Sequence, residues 1–220
     1  MELEDNYYNI IYTKFLEDVD NKEFRNSAMR LYEIVREHFH PDGIRHYDGQ
    51  STMTTGLYRY YNTFLYPFPE FSKAFNQLKE LFQYVTDVPN EYYIQSWLNV
   101  YKKSEYIDWH SHWPPDTNCW HGLFIVDSEA QESFTKYRLV LEDGINEYID
   151  IESKNNLLIL GKCENDYHRS TEWNNEQERI TIAYDIVPRK YLDNEEYLKK
   201  EPSKLKNYDL NHWIPFTTIK

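Results

Sequence analysis

The spacing of apolar residues along the chain changes near Tyr92. Before that point, apolar residues recur at three- and four-residue steps, as they do on one face of a helix. One such stripe is formed by Phe24, Ala28, Leu31, Val35 and Phe39, and a second by Phe71, Phe75, Leu78, Phe82 and Val85. The pattern predicts one helix that ends before Pro41 and another over about 70–85, both packed on the outside of a core.

After Tyr92, short segments rich in β-branched and aromatic residues follow one another, and Gly or Asn separates several of them. Such segments are typical of strands. The predicted strands span 92–101, 120–127, 133–141, 147–152, 156–161, 167–171 and 178–187. Because no helical pattern separates them, they favour a mainly β protein of the jelly-roll kind with flanking helices, which is an α+β fold.

A length of 220 residues is typical of a single domain. Within this domain we expect a helical support region over 1–90 and a β core over 91–190. The tail over 191–220 is charged and then aromatic, so we expect it to fold back onto the core.

The net charge of −13 disfavours a surface built to bind a phosphate backbone, so we expect no nucleic-acid partner. The chain shows no signal-peptide pattern and no apolar run long enough to cross a bilayer. Its two cysteines are too few for a disulfide framework. These features predict a cytoplasmic protein with no membrane partner, and they leave open whether it forms a homodimer.

The histidines suggest a metal site. Three of the eight, His110, His112 and His121, lie in one short segment. In an extended chain, residues two apart point to the same side, so His110 and His112 can face one ion, and neutral imidazole is a common metal ligand. A third ligand, His168, from a distant strand would complete a facial set. The alternative is that His110 and His112 are surface histidines and that His121 serves packing or supports a ligand.

Arg179 is the second unusual residue, because it begins the apolar strand ITIAYDIV. A buried guanidinium needs a partner, and its planar fork suits a carboxylate. The sequence therefore predicts an anion site at Arg179.

These residues carry a resemblance to a known family. The runs SWLNVYKKSEYIDWHSH (96–112), YHRSTEW (167–173) and ERITIAYDIVP (178–188) resemble the Fe(II)- and 2-oxoglutarate-dependent dioxygenase superfamily. The chain is most similar to a branch with an HxH…H…R pattern, common in marine microbes and phages. That branch has a QS segment and a W-x-N-V strand, similar to Gln50-Ser51 and 97–100. The resemblance covers about residues 48–190.

The resemblance implies a double-stranded β-helix core that holds Fe(II) and uses 2-oxoglutarate and O2 as co-substrates. It assigns His110 and His168 as metal ligands. The residues that it assigns to the co-substrate are Arg179, Thr181, Tyr101 and Tyr137. The implied reaction is the hydroxylation of a small-molecule or protein substrate, with release of succinate and CO2.

One position departs from the family pattern. His112 stands where most members have Asp or Glu, so a His110, His112 and His168 site lacks one negative charge. Asp116 or Asp108 is the carboxylate that would substitute for it. Two other functions stay open: a catalytically degenerate jelly-roll module that binds a partner, and a cupin-type dioxygenase with three histidines that does not use 2-oxoglutarate.

Overall fold

The structure, a computed structural model, describes residues 2–39, 57–58, 60–86, 91–113, 117–141, 144–163, 167–193 and 212–217. Its helices are α1 (Asn21–Phe39), α2 (Pro69–Val85) and the short α3 (Arg189–Leu192). Its strands are β1 (Asp5–Tyr7), β2 (Ile11–Phe15), β3 (Tyr92–Tyr101), β4 (Trp120–Asp127), β5 (Phe134–Val140), β6 (Asn146–Glu152), β7 (Leu157–Lys162), β8 (Tyr167–Ser170), β9 (Arg179–Pro188) and β10 (Ile214–Thr217). Gln50, Ser51 and Asp116 lie outside the described residues.

The strands form two antiparallel sheets. The larger sheet has the order β1-β2-β7-β4-β9-β3-β10, and the smaller has the order β6-β5-β8. Both predicted long helices and all seven predicted strands are present, with ends that differ by at most one residue. The mainly β prediction with flanking helices is therefore confirmed.

Two apolar layers hold the sheets in place. Helices α1 and α2 pack on one face of the larger sheet, where Phe24, Phe71 and Phe82 share a cluster with Phe124 and Leu158. On its other face, the larger sheet packs against the smaller one through a second cluster. That cluster contains Leu123, Ile125, Tyr137, Leu139, Ile149, Ile151, Leu157 and Ile159.

Side chains along β9 point alternately toward the helices and toward the smaller sheet. Ile180, Ile182 and Ile186 belong to the cluster on the helix side. Because successive side chains of a strand point to opposite faces, Arg179 and Asp185 point to the side of the smaller sheet. Both are buried, with exposures of 0% and 3%, so the space between the sheets contains charge.

The N-terminal region differs from the expected helical support, because it also contains two strands. β2 pairs with β7 along its whole length, and β1 pairs with β2. At the other end, the tail begins in α3, and its described residues 212–217 include β10, which pairs with β3. No helix within the described ranges is long and apolar enough to cross a bilayer.

Candidate metal centre and anion pocket

Backbone pairing brings two of the candidate histidines together. His110 and His168 form an isolated antiparallel bridge in which each backbone N–H donates to the other residue's oxygen, at 3.0 and 2.9 Å. Their ring centroids are 4.3 Å apart. With His112 they form a group whose candidate ligand atoms all lie within 4.8 Å of one another. The three histidines proposed from the sequence therefore meet at one point.

Each of these rings is held by a neighbour. The Nδ1 atom of His110 lies 2.7 Å from the backbone oxygen of Asp108. Since a carbonyl oxygen only accepts, Nδ1 carries the hydrogen and Nε2 carries the lone pair. His112 stacks on Trp97 with ring centroids 5.7 Å apart. Tyr137 is paired with His168 across β5 and β8, with ring centroids 5.3 Å apart, so this tyrosine lies at the histidine end of the site.

Asp185 is the carboxylate of this site, and the sequence analysis missed it. Its Oδ1 accepts hydrogen bonds from Nδ1 of His112 at 2.8 Å and of His121 at 3.1 Å. Its Oδ2 accepts one from Nε1 of Trp113 at 3.0 Å. His112, His121 and Asp185 form a second group within 4.8 Å, which shares His112 with the first.

Burial and charge set the ionisation of the cluster. Burial opposes the ionisation of Asp185, but the adjacent His112 and His121 outweigh it and hold the pKa of the carboxyl well below its usual value. Burial, and then the proximity of His112, lower the pKa of His121 to about 4. At neutral pH the site therefore contains a buried carboxylate beside a neutral His121.

The carboxylates proposed from the sequence do not fill this role among the described residues. Asp108 is exposed, and its Oδ1 accepts the N–H of Trp109 at 2.8 Å. Asp116 lies outside the described residues. A signal for Asp185 was present in the sequence, because an aspartate within the apolar strand ITIAYDIV needs buried partners just as Arg179 does.

Arg179 forms the second part of the site. It is completely buried. Its Nη2 donates to Oγ of Ser153 at 2.9 Å, and its guanidinium carbon lies 4.9 Å from the centre of the Tyr101 ring. Among the described residues it forms no salt bridge, and its Nε and Nη1 atoms have no hydrogen-bond partner. Burial lowers the pKa of Arg179. Among the described residues, this buried cation therefore has no acidic partner.

The other residues proposed for the co-substrate surround Arg179 or link it to the histidines. Tyr101 is opposite Arg179 in the pairing of β3 with β9, and Thr181 is fully buried two residues further along β9. Burial raises the pKa of Tyr101, against the opposing effects of Arg179 and of hydrogen bonds with Ser170 and Thr181. Ser170 follows His168 by two residues on β8, about 7 Å along a strand. Because Ser170 also contacts Tyr101, the pocket at Arg179 lies about two residues along β8 from His168.

The donor set fits a divalent first-row metal ion. Neutral imidazoles suit iron and its neighbours, and a facial group of three leaves positions open for other ligands. The buried carboxylate of Asp185 adds the negative charge that a site of histidines alone lacks. The pocket at Arg179 fits a carboxylate group, since its Nε and Nη1 are buried donors without acceptors.

Comparisons with known proteins support the fold. The structure is similar to a prolyl hydroxylase from Trichoplax adhaerens, solved with a peptide of hypoxia inducible factor, with a TM-score of 0.56 and 12% identity over 84% of this chain and 88% of that one. It is similar to AviO1 from Streptomyces viridochromogenes Tue57, with a TM-score of 0.55 and 14% identity over 81% and 89%. It is also similar to SnoK, a non-heme alpha-ketoglutarate-dependent carbocyclase from nogalamycin biosynthesis, with a TM-score of 0.52 and 10% identity over 82% and 81%.

The chain thus shares with these proteins a mainly β fold with a jelly-roll core and flanking helices, the fold that the sequence resemblance implied. A scan against protein-family models found no match. A search of curated proteins found none either.

Proposed function

We propose that this protein is an Fe(II)- and 2-oxoglutarate-dependent oxygenase that hydroxylates a small-molecule or protein substrate and releases succinate and CO2. The observation that carries the proposal is Arg179, a fully buried cation with no acidic partner among the described residues, close to a group of three histidines. A dicarboxylate that extends from the histidines to Arg179 satisfies both halves of the site.

In this proposal His110, His112 and His168 hold the iron. When bound, the ion supplies the redox chemistry that activates O2. The protein contributes binding and orientation. Arg179 pairs with the far carboxylate of 2-oxoglutarate, and Tyr101 and Thr181 border the same pocket.

Exclusion of water is the second contribution of the protein. Tyr137 and Arg179 are completely buried, and His168 is 4% exposed. In such a dry site, the attraction between a guanidinium and a carboxylate is stronger than in water.

A dioxygenase with three histidines and no 2-oxoglutarate is the second candidate. The His-x-His pattern favours it, because the position of the usual carboxylate ligand is taken by His112. Arg179 distinguishes the two candidates, since the second one gives this residue no role in turnover. A catalytically degenerate binding module differs from both candidates, because it would bind no divalent metal ion.

The test combines binding and turnover. Under anaerobic conditions, the purified protein with Fe(II) and 2-oxoglutarate should develop a visible charge-transfer absorption band, and on exposure to air it should form succinate, measured by mass spectrometry. Arg179→Ala should still bind Fe(II) but lose the band and the succinate. Arg30→Ala, which removes an exposed arginine of α1, should behave like the wild type.

The remaining outcomes separate the alternatives. Oxygen consumption that Arg179→Ala leaves unchanged would favour the dioxygenase without 2-oxoglutarate. A wild-type protein that binds no divalent metal would favour the degenerate module.

A further inference from the structure

The hydrogen bonds of Asp185 identify a role for it at the metal centre. We propose that Asp185 is a positioning residue, which fixes the hydrogen of His112 on Nδ1 and thereby directs its Nε2 lone pair to the metal ion. It also supplies, through the imidazole, the negative charge that a carboxylate ligand would bring. The inference rests on the metal centre of the proposed function and adds a residue to it.

The hydrogen bonds of Asp185 explain why it supports a ligand and does not ligate. A carboxylate has about four acceptor positions. Oδ1 already accepts from His112 and His121, and Oδ2 accepts from Trp113. Both positions of Oδ1 are therefore occupied, so ligation through Oδ1 would leave a buried N–H of His112 or His121 without an acceptor. Such a loss costs about 1–3 kcal/mol for each group.

The same hydrogen bonds determine the tautomers. An ionised carboxylate only accepts, so the Nδ1 atoms of His112 and His121 both carry hydrogen. The lone pair of each ring is then on Nε2. A histidine that donates its second ring nitrogen to a carboxylate is the usual arrangement around protein-bound metal ions, because it fixes the ring and strengthens the ligand.

The sheet topology shows a second effect of the hydrogen bond between Asp185 and His112. Asp185 is on β9, which pairs with β3 on one side and β4 on the other. His112, in contrast, is in the irregular segment between β3 and β4. His121 is opposite Asp185 in the sheet, and its ring centroid is 3.7 Å from that of His112. Asp185 therefore ties a ligand from a loop to the most extensively paired part of the fold.

The first experiment measures metal affinity. Asp185→Asn keeps the size of the side chain but removes its charge and gives it an amide donor. We expect it to bind Co(II) about 10- to 100-fold more weakly in calorimetry, and to change the visible d–d spectrum of the Co(II) protein. Asp127→Asn is the matched control, because Asp127 is also buried and hydrogen-bonded but contacts Arg25. It should retain wild-type affinity and spectrum.

A second measurement needs no variant. Long-range 15N–1H NMR spectra of the metal-free wild type distinguish the two tautomers of each histidine, and we expect His112 and His121 to carry hydrogen on Nδ1. Hydrogen on Nε2 of His112 overturns the inference, and so does wild-type Co(II) affinity in Asp185→Asn. Both results leave the proposed function intact, whereas a wild type that binds no Co(II) overturns the metal centre itself.

Discussion

The hydroxyl of Tyr184 donates a hydrogen bond to the backbone oxygen of Ile159, 2.6 Å away, across the strand that lies between them. Gly122 on that strand makes the contact possible. A Cβ atom at this position would lie 1.9 Å from the oxygen of Ile159 and 2.4 Å from the hydroxyl of Tyr184. The neighbouring residue is His121, so the glycine lets the side chain of Tyr184 cross β4 beside the candidate metal centre.

We therefore expect Gly122→Ala to destabilise the protein by about 1–3 kcal/mol, because the new methyl group displaces Tyr184 and breaks its hydrogen bond. Urea unfolding followed by circular dichroism measures the change. Gly161→Ala on the adjacent strand is the matched control. Its Cβ would have its nearest neighbour at 3.5 Å, an ordinary contact. Equal stabilities of the two variants would contradict the close approach at Gly122.

A second prediction concerns the cost of burying the Arg179 guanidinium, which has no acidic partner among the described residues. Arg179→Met replaces a buried cation by an apolar chain of similar length, so in the absence of ligands it should raise the free energy of unfolding by about 1–3 kcal/mol. The same variant should no longer be stabilised by 2-oxoglutarate. Unfolding with and without 2-oxoglutarate measures both effects.

Arg25→Met is the control for Arg179→Met, and its effect on the free energy of unfolding should have the opposite sign. Arg25 forms salt bridges with the buried Asp127 and with Glu178. Its removal leaves a buried carboxylate with fewer partners, so stability should fall. If Arg179→Met destabilises the ligand-free protein as Arg25→Met does, then Arg179 is a structural cation and not a binding residue.

Metal binding should stabilise the fold by mass action. At a Co(II) concentration of one hundred times its Kd, the expected gain is about 2.7 kcal/mol, seen as a rise of the melting temperature. His168→Ala should abolish this rise, because it removes a member of the facial group. His38→Ala, at an exposed position of α1, should show the full rise. A full rise in His168→Ala would exclude this histidine as a ligand.

Most of the fold follows from local sequence patterns. The stripe of Phe71, Phe75, Leu78, Phe82 and Val85 is long and regular enough to identify α2, and Phe71, Leu78 and Phe82 are completely buried. β2 escaped prediction because it has five residues and its pairing with β7 joins parts of the chain about 145 residues apart. Such distant pairing leaves little trace in a short window of sequence.

The residues of the candidate site were also only partly predictable from the sequence. His110, His112, His168 and Arg179 were identifiable because their spacing repeats a known pattern, and the structure places the three histidines in one group. For Asp185 the sequence indicated only a buried charge in an apolar strand, and its partners were not identifiable, because they come from a loop and from β4. Only the alignment of β4 with β9 sets His121 opposite Asp185.

The last prediction concerns the stability of the metal-free protein as the pH falls. Burial holds the pKa of His121 at about 4 in the folded protein, below the value of 6.5 expected for an unfolded chain. Between these two values the unfolded chain takes up a proton that the folded protein excludes. The contribution of His121 to the free energy of unfolding is therefore fully present above pH 6.5. It decreases toward pH 4, by up to about 1.4 kcal/mol for each pH unit.

His121→Gln should remove this one-proton component from the slope. His112, His168 and Asp185 also lie against His121, but they are present in both proteins, so the difference between the slopes reports mainly on His121. Urea unfolding at several pH values, with a chelator present, measures the slopes, and His38→Gln serves as the exposed control. If His121→Gln keeps the wild-type slope, then His121 is not the group that the fold holds neutral, and its hydrogen bond to Asp185 is made by a charged ring.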